Sequence, residues 1–274
     1  MIFIIIGVAL VVFAIMEMTP GDPAIMMLGD NASPESIKAF HDEFGLNKPF
    51  IIRFLDYIMQ LFTQLDFGTS WLTSRPVLGT LQERVPITLI IAVSSIAFAS
   101  TIGVFLGVLS AVKQYSVLDY IARVTARVMA AVPVFWLGMM TLGIPYSARI
   151  LRSTRSYMLE AVRQDFIRTA RAKGVPERLV IWKHAFTNAC LPIINTIGVY
   201  IGSLLGGAVV TETVFGANGL GSFIINSVKR KDIPAVTGGT VFLAIIFSLI
   251  LLIVDILYAI VDPRIKARYA KGSK

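Results

Sequence analysis

Asp165, Arg168, Arg171 and Lys173 punctuate the stretch DFIRTARAKG, which is followed by VPERLVIWKHA. Charges at this spacing do electrostatic work. Asp165 stands where a helix would begin and Lys173 in its last turn, both favourable to the helix dipole. Gly174 follows as a residue able to take φ > 0, and Pro176 and Glu177 sit where they open a second helix. The pattern predicts helix, sharp bend, helix. Thr169, Ala170 and Ala172 are small and permit close approach, while the guanidinium groups of Arg168 and Arg171 reach acidic or carbonyl partners. The first helix has no face worth burying in its own chain, so the segment is expected to dock into a groove on another protein. It transmits force only if the bend holds both helices as one piece. On charge alone the same loop is an ordinary topology determinant.

Other reactive groups are sparse. The two histidines, His41 and His184, form no His-Glu-x-x-His pattern, and the single cysteine, Cys190, stands near neither. A metal site is not expected. No Gly-x-x-x-x-Gly-Lys-Ser/Thr loop occurs, so any ATP must be hydrolysed elsewhere; the terminal Gly272-Ser-Lys has neither the leading glycine nor the order. Serine chemistry without histidine would need a lysine within the membrane, and none is present there. The chain is expected to be no enzyme and to carry no cofactor of its own. Gly198, Gly202 and Gly206 recur every fourth residue and give a smooth stripe for close helix contact, read either as packing or as a sliding contact beside a pathway. Glu212, with Thr211 and Thr213, brings polar groups to its outer end. Glu17 and Asp255 lie near the ends of apolar runs; Glu17 marks an interface, and Asp255 is a candidate for a structural ion pair with a basic residue of the segment around Arg168 and Arg171.

These groups need elements to hold them. With 55% hydrophobic and 15% charged residues, against about 25% charged in soluble domains, the composition is that of a polytopic membrane protein. Apolar runs occur at Met1 to Met16, Ile87 to Val112, Val128 to Met140, Cys190 to Val210 and Val236 to Val261. Two are short of the roughly 20 residues a bilayer asks for. The first reads as an uncleaved anchor, because it lacks a charged start and a small-residue cleavage pattern.

The net charge of +8 is distributed as topology and points away from nucleic acid. Residues 149–183 hold nine Lys/Arg against three acids, and residues 262–274 five against one, whereas residues 19–85 hold five against eight. Basic clusters collect in the cytoplasm. Lys113, Arg123 and Arg127 put the turn after the second run there, and residues 149–183 belong there too. Only one run lies between, and a single crossing cannot return to the side it left. We expect a span to be partly missing near Met140 and Thr141; the alternative is a re-entrant segment, which needs protein around its backbone. With the span restored, the fold is all-α with six transmembrane helices and both termini cytoplasmic. Residues 19–85 are then an external segment with short amphipathic helices, read either as lying over the outer mouth or as a packed cap with no binding role: one after Ser33-Pro34-Glu35 ending at Gly45, another carrying Phe50, Ile51, Phe54, Leu55, Ile58, Leu61 and Phe62.

The segment Asp165 to Gly174, followed by His184-Ala, Asn188-Ala and Leu191-Pro192, resembles the cytoplasmic coupling loop of ABC-transporter permeases of the dipeptide, oligopeptide and nickel family. Thr19-Pro-Gly-Asp-Pro-Ala24, Phe44-Gly-Leu46 with Pro49, Leu65-Asp-Phe-Gly68, Arg152 to Leu159, Glu212-Thr-Val-Phe215 with Gly219-Leu-Gly221, and Asp262-Pro-Arg-Ile265 extend the resemblance over nearly the whole chain. It departs at Ala217-Asn218, at Lys231-Asp-Ile-Pro234 and where Met140 meets Thr141. The resemblance implies one permease domain over residues 1–274, with coupling segment 149–189, in a bacterial or archaeal inner membrane. It further implies a second permease, one or two ATPases that bring ATP and Mg, an external solute-binding protein, and dipeptides or oligopeptides as cargo. Nickel or glutathione remains open as cargo, and a passive channel or an intramembrane enzyme as a reading of another class.

Overall fold

A computed structural model describes residues 2–29, 31–131 and 143–261. Helices make up every named element among them: α1 (Ile2–Met18), α2 (Pro23–Leu28), α3 (Pro34–Glu43), α4 (Phe50–Gln64), α5 (Val77–Val112), α6 (Val117–Ala131), α7 (Gly143–Val162), α8 (Asp165–Ala172), α9 (Glu177–Leu179), a π turn (Val180–Ala185), α10 (Phe186–Phe215), α11 (Leu220–Lys229) and α12 (Ile233–Val261). The protein is an all-α polytopic membrane protein. Among the described residues three helices are long and apolar enough to cross a bilayer: α5, the continuous run Glu177–Phe215, and α12; α1 is a shorter apolar helix. The Val128 to Met140 run falls largely outside the described residues, as does the expected join at Met140 and Thr141.

The chain divides into two compact units, one drawn from Met1–Leu89 and Glu212–Ser248, the other from Ile90–Thr211 and Leu249–Lys274. In the first, α2 is capped by Asp22, whose Oδ1 accepts from Ala24 N at 2.8 Å. Ser33 caps α3, with Pro34 at its start and Gly45 just past its end at φ +63°, as the sequence predicts. Helix α4 lies along α1, as the packed-cap reading has it: Phe13 meets the rings of Phe54 at 6.0 Å and Tyr57 at 6.2 Å, and Arg53 Nη2 reaches Glu17 Oε1 at 2.5 Å. Phe50, Phe54, Ile58 and Leu61 are packed within the chain, whereas Ile51, Leu55 and Phe62 of the predicted face are exposed. Beneath it Ile5, Ala9, Leu61, Val77, Leu81, Leu220 and Val241 form one buried cluster.

In the second unit α6 packs on α7 through Ala126, Ala148 and Leu151. Another cluster joins Val108 and Ala111 of α5, Met158 and Ala161 of α7, Ile167 and Ala170 of α8, Val180 and Ala185 of the π turn, and Ala189 of α10. Helix α5 starts ten residues ahead of the apolar run that predicts it; Gly79 to Val85 is polar enough to hide the start from hydropathy, yet Val77 and Leu81 are wholly buried.

Candidate functional site

The site is assembled where α7 gives way to α8. Asp165 lies in the first turn of α8 and Arg171 in the last, and the helix ends as predicted, with Gly174 at φ +73°. Gly174 N donates to Arg171 O at 2.9 Å and Val175 N to Ala170 O at 3.2 Å, so the bend satisfies carbonyls that the helix end would leave orphaned. A Cβ on Gly174 would meet nothing within 4 Å; the glycine is needed for its backbone angle alone.

Across the bend Arg171 grips Glu177 with two nitrogens, Nε to Oε2 at 3.1 Å and Nη2 to Oε1 at 2.6 Å. Those bonds hold the Glu177 carboxyl below the usual carboxylate range and raise Arg171 in turn. The second helix then runs through the π turn into α10 without a break. Helix α8 is thus tied to one end of a membrane-length helix.

The expectation that α8 has nothing to bury in its own chain is corrected. Ile167 is fully buried and Ala170 nearly so, both against Met158, Val180 and Ala185. The small-residue pattern distracted from a two-residue apolar stripe at i and i+3, enough to seat one face of a two-turn helix. The opposite face stays open: Asp165, Arg168, Thr169, Ala172 and Lys173 are exposed, with the apolar Phe166, Leu179 and Trp182 beside them. Asp165 and Arg168 stand 3.9 Å apart, both well solvated. The result is a basic surface with apolar points, fixed from below.

The other candidates part company. Gly198 lies so close to Val254 of α12 that a side chain there would collide, Gly202 is half-buried, and Gly206 is exposed with open space over it. The stripe is a close contact at one end only. Glu212 is fully buried. Its carboxylate accepts from Thr88 Oγ1 at 2.6 Å and from Gly221 N at 2.7 Å and Ser222 N at 3.1 Å. It therefore caps α11, where backbone N–H groups favour a negative charge. Gly219 leaves the room: a Cβ there would run into that carboxylate. Asp255 is exposed and forms no ion pair among the described residues; the tail 262–274 lies outside them.

Two buried carboxylates escaped the sequence reading. Asp119, fully buried at the start of α6, binds Ser110 Oγ at 2.5 Å, Tyr115 N at 3.1 Å, and Arg155 through Nε at 2.7 Å and Nη2 at 3.0 Å. Arg155 holds its carboxyl far below the usual range, over the opposing effect of burial. The run Ser116-Val-Leu-Asp119 was the available signal, since it is a helix-start box with Asp119 N bonded to Ser116 Oγ at 3.2 Å. Asp232, at the head of α12, accepts from Ser70 Oγ at 2.5 Å, Trp71 N at 3.2 Å and Ala235 N at 3.3 Å. Its neighbour Lys231 is buried, with Nζ on the carbonyls of Thr19 at 2.6 Å and of Gly21. Lys231 is thus a tie between α12 and the Thr19-Pro-Gly-Asp turn.

The profile of the family described as "Binding-protein-dependent transport system inner membrane component" matches residues 103–267, and its N-terminal companion matches residues 1–92. The chain is 34% identical to the dipeptide transport system permease protein DppB of Alkalihalophilus pseudofirmus, with 96% of each chain covered. It is 35% identical to the DppB of Escherichia coli K12, with 95% of this chain and 94% of that one covered. The first alignment runs over 319 positions where this chain has 274 residues, so that relative carries residues with no counterpart here.

Proposed function

The chain belongs to the family of binding-protein-dependent transport system inner membrane components, and from that premise we propose that it is the peptide-carrying permease subunit of an ATP-driven importer. The observation that carries the mechanism is the locked bend: α8 and the helix running on to Phe215 are joined through Gly174 and clamped by Arg171 and Glu177. An ATPase seated on Arg168, Thr169, Ala172 and Lys173 would move the membrane helix with it. The chain supplies no hydrolysis of its own in this reading; ATP and Mg are bound by one or two partner ATPases.

A second, homologous permease completes the pore, and an external solute-binding protein delivers the cargo to the side carrying residues 19–85. Both termini are cytoplasmic, and six spans are present in the complete fold. The extra positions in the DppB alignment support a segment absent from this chain, as the charge parity does. Short peptides are the cargo that the names of both relatives support; nickel or glutathione is the alternative within the same machine.

The test is uptake into proteoliposomes holding the chain with its permease partner, ATPases and binding protein. Dipeptide accumulation that requires hydrolysable ATP is expected. Equal flux without nucleotide would make the chain a passive channel, and accumulation of nickel with no peptide uptake would replace the cargo.

A further inference from the structure

Helix α4 leaves an apolar stripe uncovered. Ile51, Leu55, Met59 and Phe62 follow one another at steps of four and three residues, so they share one side of the helix, and they are 43–66% exposed. Phe50, Phe54, Ile58 and Leu61 fill a different side, packed within the chain. Arg53, Asp56, Gln60 and Gln64, again at steps of three and four, make a third and polar side. The helix thus turns one apolar face to its own chain and a second one outward, with a polar edge along it.

The chemistry around the outward face restricts what lies against it. Charge borders the stripe and does not enter it: Lys48 holds Asp56 at 3.3 Å, Arg53 turns to Glu17 at 2.5 Å, and past the end of the helix Asp66 accepts from Gly68 N at 2.8 Å. An ionisable group is costly where hydrocarbon surrounds it, and each of these is bonded away from the stripe. The neighbouring helix suits the same solvent. α1 runs beside α4 in the opposite direction, with Glu17 against Arg53 at one end and Ile5 and Ala9 in the Leu61 cluster at the other. It carries no charge before Glu17 and leaves Phe3, Leu10, Val11 and Ile15 exposed. The stripe also lacks small residues. Helices in a bilayer meet through Gly, Ala, Ser and Thr, which let backbones approach, as Gly198 lets α10 approach Val254; four large side chains offer no such seat and suit acyl chains.

We propose that the Ile51, Leu55, Met59 and Phe62 side of α4 lies in the membrane interface on lipid acyl chains, with Asp56 and Gln60 toward headgroups and water. The partner of this surface is the bilayer itself. The inference rests on the chain being a membrane protein and is independent of its cargo. It makes α4 an anchor that ties the segment between α1 and α5 to the lipid surface.

In a Cys190→Ala background, Leu55→Cys, Met59→Cys and Phe62→Cys on the stripe and Asp56→Cys and Gln60→Cys on the polar edge are each spin-labelled, in the transporter assembled in liposomes of phosphatidylethanolamine and phosphatidylglycerol. Collision with oxygen, which concentrates in hydrocarbon, is compared with collision with a nickel chelate, which stays in water. Labels on the stripe are expected to meet oxygen severalfold more often than the chelate, and labels on the edge the reverse. Bimane at the same positions, quenched by brominated lipid, gives a second readout, with strong quenching expected at position 59 and weak quenching at 60. Stripe labels that meet the chelate as often as the edge labels do would put this face in water. Stripe labels shielded from both quenchers would put protein on it, from the second permease or another copy of this chain. Either result overturns the proposal, as does bromolipid quenching no stronger at 59 than at 60.

Discussion

Arg155 meets Asp119 as a fork on a fork, Nε to Oδ1 at 2.7 Å and Nη2 to Oδ2 at 3.0 Å, with the carboxylate fully buried and the arginine side chain 17% exposed. The pair joins α6 to α7, and Ser110 brings in the end of α5. Removing one member of such a pair leaves the other charge nearly buried and alone, at a cost of about 3–5 kcal/mol. Asp119→Ala is expected to lower the thermal midpoint of the purified complex and its yield in membranes. Because the folded Asp119 pKa is depressed, its contribution is complete above the unfolded value, roughly 3.9, and is lost only as pH falls below that toward the folded value. The gap between wild type and variant in thermal midpoint should therefore stay constant from about pH 5 to 8. A gap that closes within that window would show that the pair is not the anchor.

How much of this was legible follows from what sequence patterns report. Local chemistry reads directly: Ser33-Pro34-Glu35 opened a helix and Gly174 ended one, because caps and bends are decided within a few residues. Contacts between distant segments do not. Nothing near Asp119 names Arg155, 36 positions away, and nothing near Asp232 names Ser70, 162 away. The same blindness left the partner of α4 unnamed, since an amphipathic face announces that it is buried and not against what. Glu212 read as a polar group at the outer end of the glycine stripe, open between pathway and packing; its partners Thr88, Gly221 and Ser222 meet only in the fold. The exposed face of α8 was legible as charge, while the Ile167 and Ala170 anchor beneath it was not.

Gly219 and Gly206 give a paired test of the Glu212 cap. A methyl at Gly219 has to displace a buried carboxylate, whereas one at Gly206 meets nothing within 4 Å. Gly219→Ala is expected to cost about 1–3 kcal/mol, the usual range for overpacking, and Gly206→Ala close to nothing. Differential scanning fluorimetry of the two variants in detergent compares them directly. Equal midpoints would mean that α11 is not held by Glu212.

The bond between Arg171 and Glu177 is partly exposed, so its share of stability is small, at most about 1 kcal/mol. Its importance lies in stiffness. Arg171→Glu alone is expected to leave insertion intact while reducing ATP-driven uptake, and adding Glu177→Arg should restore most of that loss, because the reversed pair spans the same bend. If the double variant is as impaired as the single one, Arg171 acts by touching the ATPase and not by locking the bend.

Gly174 separates backbone conformation from bulk, since a side chain there has open space but an unfavourable angle of φ +73°. Alanine in the left-handed region costs roughly 1–2 kcal/mol, and asparagine is tolerated better because its short side chain bonds locally. Gly174→Ala is expected to shift the bend toward ordinary helical angles, turning α8 away from its seat on Met158 and Val180. Membrane yield and the binding of solute-binding protein should be retained, uptake should fall severalfold, and Gly174→Asn should fall between alanine and wild type. Uptake measured beside ATPase rate decides the mechanism: hydrolysis that continues while transport drops means the motor turns without moving α10. Unchanged transport in both variants would show that the bend carries no force.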